Sequence, residues 1–498
     1  MVPEGTGEEA EGRHRSEVTH AGRVDYERAG SDYLQKRQLR RGAAGWVLLA
    51  GLGVAYVISG DFAGWNFGLA EGGWGGLLIA TALMATMYTC MVFGLAELAT
   101  AMPVAGAGYG FARRALGPLG GFATGTAILI EYAIAPAAIA TFIGGYVEAL
   151  GLFGLTSGWP VYLACYAIFI GIHLYGVGEA LKVMLGITVV AVLALIAFVV
   201  GMLPRFSFDK LLDIPPTDAF GASAFLPFGV AGVLAALVYG IWFFLAVEGV
   251  PLAAEEARDP KRDMPRGIIA AVFVLVVFAV LMLFVGPGAA GSSAIQDSDN
   301  PLPLAIRTAF GGDTWLAQFV NYVGLAGLVA SFFSIIYAYS RMLFALSRAG
   351  YLPRRLSVTG KRKTPYLALI VPGFIGFVLA SVTENGALMI NIAVFGATVS
   401  YVLMMVSHIV LRVREPNLAR PYRTPGGIVT TSVALVLAVA AVVATFVVDV
   451  LAAAITAGIF VVALAYFWFY SRHHLVGNAP EEEFAAIERA EAELEGDT

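Results

Sequence analysis

Charge is what this 498-residue sequence has least of. Asp, Glu, Lys and Arg make up 13% of it, against ~25% in typical soluble domains, while 58% of its residues are hydrophobic. That balance excludes an ordinary soluble domain and implies a polytopic membrane protein. Cysteine is nearly absent. Cys90 and Cys165 both sit inside apolar runs, so neither a disulfide framework nor a cysteine metal site is expected. The six histidines (His14, His20, His173, His408, His473 and His474) lie mostly in tails or at helix ends. No H-E-x-x-H, no Cys/His spacing and no G-x-x-x-x-G-K-[ST] loop occurs. Without a nucleophile–base pair, metal cluster or phosphate loop, an enzyme is not expected, nor a nucleotide-driven pump. No cofactor, bound metal or nucleic-acid partner is expected either. The first 45 residues lack the apolar core of a signal peptide, so the first span is expected to act as the insertion signal.

Long apolar runs dominate what is present. Stretches able to cross a ~30 Å hydrocarbon core fall at about 46–70, 74–98, 118–148, 160–175, 182–203, 226–250, 267–287, 315–345, 366–383, 387–411, 427–447 and 450–471, twelve candidate spans in all. Residues 1–45 read as disordered and then basic, with Lys36, Arg37, Arg40 and Arg41 just before Trp46. Such a patch suits an inner leaflet. With a cytoplasmic amino terminus, the outer segments hold only Arg205, Lys210 and Arg307 of the 31 Lys and Arg residues. That is the positive-inside pattern. It predicts a multi-pass protein of the cytoplasmic membrane with both tails, 1–45 and 472–498, inside. The acidic stretch Glu481 to Glu495 reads as a solvated tail or docking helix.

Two spans are interrupted. Residues 49–68, LAGLGVAYVISGDFAGWNFG, begin as a spanning helix but carry five glycines and place Ser59, Gly60 and Asp61 near mid-span. A mid-membrane aspartate is unfavourable by ~2.5–3.5 kcal/mol and normally faces a cavity or a partner. Irregular backbone at that depth survives only inside protein or along water. The reading is a discontinuous helix at a transport site. Residues 229–249, GVAGVLAALVYGIWFFLAVEG, repeat the pattern with Gly240 near the centre, then Trp242, Phe243, Phe244 and Glu248. Interruptions in the first and sixth spans suggest two inverted five-helix halves, 46–203 and 226–411, with substrate held between the broken helices. The last two spans, within 427–471, lie outside the repeat.

Three segments carry a resemblance. ELATAMPVAGAGYGFARRALGPLGGFATG (97–125) resembles the first cytoplasmic loop and third span of the amino acid–polyamine–organocation (APC) transporters. VEGVPLAAEEARDPKRDMPRGI (247–268) is similar to their sixth span running into the next inner loop, and YAYSRMLFALSRAGYLP (337–353) to the end of their eighth. The likeness covers about residues 45–425. VAYVISGDFAGWNFGL (54–69) and IEYAIAPAAIATFIGGYVEAL (130–150) look most like the bacterial ethanolamine permeases within that family. The resemblance implies an all-α integral membrane protein with a LeuT-like 5+5 inverted repeat and discontinuous helices 1 and 6. It implies secondary active import of a small ammonium compound by alternating access, with ethanolamine expected. An amino acid or polyamine permease and a choline carrier are the alternatives, and a channel is a more distant one. Oligomeric state is left open.

In the family pattern, amides of an unwound G-S-G-like segment hold a substrate carboxylate, and carbonyls of spans 1 and 6 hold its amine. This chain has Ser59, Gly60 and Asp61 there. A carboxylate in place of the last glycine repels an α-amino acid and attracts an ammonium that lacks a carboxylate. Asp61 could instead cap the second half-helix. Glu131, mid-span in the third segment, is expected as a second ammonium contact, a proton carrier or a helix-packing group, since a desolvated glutamate can titrate near neutral pH. Trp242 aligns with the family's aromatic gate and offers a ring face to a cation. The carbonyls near Trp242, Phe243 and Leu245 would be freed by unwinding. Glu97 and Glu248 are expected to hold the fold or an inner gate. The coupling ion, H+ or Na+, is open: Ala191 stands where some proton-coupled relatives carry a lysine, while Ser331 and Ser334 offer hydroxyls to sodium or pack helices.

Overall fold

The computed structural model describes residues 18–21, 24–27, 44–103, 106–151, 154–175, 177–360 and 364–477. Most of them are helical. The first span is made in pieces: α1 (Trp46–Val57), a single turn α2 (Ser59–Phe62), then Ala63 in extended backbone and Gly64 at φ 96°. Helix resumes in α3 (Phe67–Ala101), which turns at Gly73 (φ 67°), so its first turn ends the first span and the rest forms the second. α4 (Gly108–Leu150) bends at Gly117, φ 80°, immediately before Pro118. α5 (Trp159–Tyr175) and α6 (Val177–Met202) complete the first half.

The second half opens with the other broken helix. α7 (Gly229–Trp242) stops, Ala246 takes a left-handed conformation at φ 76°, and the chain continues as a tighter 3-10 helix over Val247–Glu256. Holding a non-glycine residue there costs about 1–2 kcal/mol, so surrounding contacts must fix it. Then come α8 (Pro260–Ala290), the short α9 (Ser292–Ile295) and α10 (Pro301–Phe310), α11 (Trp315–Arg348), α12 (Tyr366–Thr383) and α13 (Gly386–Arg414). α14 (Ile428–Val448) and α15 (Val450–Phe469) follow. Among the described residues, ten helices are long and apolar enough to cross a membrane. α1 and α5 are apolar but shorter, and stand where the first and fourth spans are expected.

Small residues set how close the helices come. A Cβ added at Gly396 of α13 would lie 2.7 Å from the Ala127 carbonyl of α4, and one at Gly72 of α3 2.7 Å from the Gly232 carbonyl of α7. Backbones therefore touch directly, as expected where lipid offers helices no hydrophobic drive to associate.

The expectation of a disordered amino-terminal tail needs correction at two places. β1 (Val18–Ala21) pairs antiparallel with β2 (Val24–Glu27), which runs parallel to β3 (Leu475–Val476). Tyr26 is buried and meets Arg113, and the Asp25 carboxylate lies 2.7 Å from His473. The run VTHA and VDYE is rich in β-branched residues, a signal that the tail's overall polarity masked. The basic patch before Trp46 and the acidic carboxy-terminal stretch lie outside the described residues.

Candidate substrate site

The two helix breaks face each other. Gly60 lies so close to the Trp242 carbonyl that a Cβ there would sit 2.4 Å from the oxygen. Trp242 Nε1 donates to the Ala63 carbonyl at 2.9 Å, and Tyr146 donates to the Phe62 carbonyl at 3.0 Å. Two carbonyls exposed by the first break are thus bound by side chains of α7 and α4. Across the gap, the carbonyls of Trp242, Phe243 and Leu245 accept no backbone hydrogen bond from any described residue. Trp65 stacks on Phe243, ring centroids 5.5 Å apart, and Phe142 meets Trp242 edge-on at 6.2 Å.

A small cavity, about 160 Å³ of space between atoms, lies at the junction, lined by Tyr56, Val57, Ser59, Trp242, Leu245 and Ile335. Of the residues assigned to substrate from sequence, Ser59, Trp242 and Leu245 line it. Gly60, Asp61, Glu131 and Phe243 do not.

Asp61 is 1% exposed, and neither carboxylate oxygen has a hydrogen-bond partner among the described residues. The capping role is therefore not realised. Asn66 performs the local bonding instead: its Oδ1 accepts from Gly64 N at 3.0 Å, while its Nδ2 donates to the carbonyls of Ile295 and Ser298 at 2.8 and 2.9 Å. This ties the first break to the α9–α10 connection and closes one side of the junction. Asn66 was missed because the carbonyls it ties to the break lie more than 200 residues away.

The other side is closed by Glu248. Tyr132 of α4 donates to its Oε1 at 2.9 Å and Tyr401 of α13 to its Oε2 at 3.0 Å, and Tyr88 of α3 meets Tyr401 at 2.8 Å. Glu131 lies beside this group, next to Glu248, Tyr401 and the backbone of Ala246, with neither oxygen in a hydrogen bond of good geometry. The structure thus unites Glu131 with Glu248 and adds three tyrosines. Tyr132 neighbours Glu131 in sequence, a hint that was available; Tyr88 and Tyr401 gave none.

Glu97 belongs to a different assembly. It receives Arg412 Nε at 2.8 Å, Arg420 Nε at 2.9 Å and the Thr424 amide at 2.7 Å, with His408 Nε2 at 3.4 Å. These contacts lock α3 to α13 and to the segment after it. Ser331 Oγ sits 2.8 Å from Ser59 Oγ and donates to the Tyr56 carbonyl at 2.6 Å, joining α11 to the first break. Ser334 bonds back to Ala330 at 2.8 Å in its own helix. Ala191 is fully buried, and a Cβ on Gly327 would lie 3.1 Å from its own. Among the described residues no group of three or more His, Cys, Asp or Glu residues could hold a metal ion.

Broken first and sixth helices meeting at one junction, closed on either side by polar contacts between distant elements, define a membrane transporter of LeuT-like architecture. The chain belongs to the amino acid permease family of the APC superfamily, whose sequence profile matches residues 47–476. It is 29% identical over 395 residues to an uncharacterized transporter of Rhizobium meliloti, covering 78% of this chain and 83% of that one. The branched-chain amino acid permease BcaP of Bacillus subtilis is 28% identical over 378 residues, covering 70% and 77% respectively. The methylthioribose transporter of Bacillus subtilis is 25% identical over 383 residues, 74% and 79%. The names of these relatives span chemically different substrates.

Proposed function

We propose that this transporter imports ethanolamine, or a closely related small amino alcohol cation, by ion-coupled alternating access across the cytoplasmic membrane. The observation that carries the reading is the Asp61 carboxylate: buried, beside the helix break and without a partner. An uncompensated buried carboxylate is strongly unfavourable. A bound ammonium compensates it, and an α-amino acid would bring a second carboxylate into the same low-dielectric space. In this reading the free carbonyls of Trp242, Phe243 and Leu245 take the ammonium N–H groups, and Ser59 and Gly60 complete the contact surface. Substrate entry requires the Asn66 bridge to part, and release requires the Glu248 clasp to part.

The remaining parts of the proposal follow the charge distribution and the repeat. Twelve spans in two inverted halves plus a final pair put both tails in the cytoplasm, and no catalytic step is assigned. Glu131 and Glu248 are the coupling candidates. Two adjacent carboxylates out of water repel unless a proton or cation lies between them, which favours H+ at that place. Ser59, Ser331 and the Tyr56 carbonyl offer oxygens to Na+ as the alternative. A second substrate reading, an amino acid, draws on the printed specificity of the BcaP relative.

Thermal unfolding of the purified protein separates the two. A ligand at a hundred times its Kd stabilises the native state by ~2.7 kcal/mol. Ethanolamine should raise the unfolding midpoint, with no shift from alanine or leucine. A shift with leucine and none with ethanolamine would move the assignment to the amino acid reading.

A further inference from the structure

An open groove lies between the start of α1, the first four turns of α8 and the segment following α13. Its lining includes Trp46, Lys261, Arg262, Arg266, Phe273 and Tyr422. Arg262, Arg266, Ile269, Ala270 and Phe273 recur at helical spacing, so one stripe of α8 forms the wall. The charge of this groove is uncompensated among the described residues. Lys261, Arg262 and Arg266 are exposed and make no ion pair or side-chain hydrogen bond with any described residue. Lys261 and Arg262 also occupy the first turn of a 31-residue helix, where the macrodipole disfavours cations and favours anions. The nearest acids in sequence, Asp259 and Asp263, are not among the lining residues, and Asp263 bonds the Asp259 amide at 3.2 Å.

Next to the cations the groove turns apolar. Phe273 is 70% exposed and Trp46 44% exposed. An aromatic residue beside basic groups at a helix end is the arrangement found at a membrane interface. A soluble anion would meet the cations alone and would make no contact with Phe273 or Ile269. A phospholipid satisfies both parts, its phosphate on the basic residues and its acyl chain along the α8 stripe.

We infer that this groove binds one anionic phospholipid from the leaflet facing the positively charged loops. The inference rests on the proposed orientation and is independent of the substrate. Bound there, the lipid bridges two elements already in tight contact: a Cβ on Gly267 of α8 would lie 2.7 Å from Leu49 Cβ of α1. The chain entering α1 is also tied to the segment before α8, since Arg258 N donates to the Ala44 carbonyl at 2.9 Å. The lipid therefore holds the inner end of the first broken helix.

The test is native mass spectrometry of the purified full chain with phosphatidylglycerol or phosphatidylcholine added at equal concentration. Wild type, Arg262→Gln/Arg266→Gln and the charge-matched Arg205→Gln/Arg355→Gln are compared. Each basic group near a lipid headgroup contributes ~1 kcal/mol, so the pocket variant should lose roughly tenfold or more of its phosphatidylglycerol affinity. The control should keep it. Equal retention in the pocket variant overturns the inference, as does equal loss in both variants, which marks diffuse charge attraction. Displacement of the lipid by millimolar inorganic phosphate or glycerol phosphate also overturns it, by making the groove a free-anion site. Wild type supplies a reading that needs no variant. Phosphatidylglycerol bearing brominated acyl chains should quench tryptophan fluorescence more than brominated phosphatidylcholine, and Trp46→Phe should remove the difference. No difference in wild type overturns the inference.

Discussion

Asp61 and Gly60 carry the chemistry of the break in different ways. Asp61 supplies a buried carboxylate that no described residue hydrogen-bonds, whereas Gly60 supplies the absence of a side chain. With the Trp242 carbonyl 2.4 Å from where a Cβ would sit, even alanine forces one broken helix away from the other. Overpacking of this kind destabilises by about 1–3 kcal/mol. Gly60→Ala should therefore lower the thermal unfolding midpoint and impair transport. An unchanged midpoint with full transport would mean that the two breaks separate more easily than this contact implies. Asp61 was legible from sequence because a carboxylate inside an apolar run is conspicuous. Its lack of any partner was not legible, because that depends on everything packed around it. Asn66, an ordinary polar residue in a glycine-rich stretch, gave no such signal.

At the scale of elements, two of the polar assemblies that hold the helices differ in kind. The Glu97 assembly binds α3 to α13, and it is a buried charge cluster. Removing one partner of such a cluster costs about 3–5 kcal/mol, so Glu97→Ala should markedly reduce the unfolding midpoint by leaving Arg412 and Arg420 opposed. The Glu248 clasp is bound by neutral hydroxyls. Tyr401→Phe removes one of them, a loss of about 1.5–3 kcal/mol for a hydrogen bond to a charged group, and should speed modification of a cysteine placed at Ala253. An unchanged rate would show that the clasp does not limit access from that side. A further titratable group, Asp299, lies outside the spans. Asp299 packs on Gly145, and its carboxyl is pushed up to about 6 by burial, with Glu148 adding repulsion. An unfolded aspartate titrates near ~3.9, so the folded state holds this proton more tightly. Its stabilising contribution is complete below about pH 4 and is lost as pH rises through about 6. Unfolding midpoints of Asp299→Asn should vary less between pH 4 and 7 than those of wild type. The helix breaks themselves were readable, since glycine clusters and polar atoms interrupt long apolar runs. The pairings were not, because Tyr132, Glu248 and Tyr401 come from three distant stretches whose contact only the fold creates.

For the whole molecule, the uneven placement of Lys and Arg supports the proposed orientation, with both tails in the cytoplasm. A cysteine introduced at Asp209 should react with an impermeant maleimide added outside intact cells, and one at Arg355 only after the membrane is opened. The reverse pattern would invert the topology. The strands that join residues 24–27 to Leu475–Val476 put these described parts of the two tails on one face, in keeping with that orientation. Composition foretold a membrane protein, but it gave no sign that the two tails would meet. Strand pairing at such separation leaves no periodic trace in a polar tail.

In the proposed function Asp61 is the counter-ion of an ammonium substrate. Uptake of labelled ethanolamine into proteoliposomes, with and without an imposed proton gradient, tests it for wild type and Asp61→Asn. The expected result is saturable uptake that unlabelled ethanolamine competes and alanine does not, lost at least tenfold in an Asp61→Asn protein whose unfolding midpoint shows it to be folded. Normal ethanolamine uptake by Asp61→Asn, or stronger competition by alanine than by ethanolamine, would contradict it.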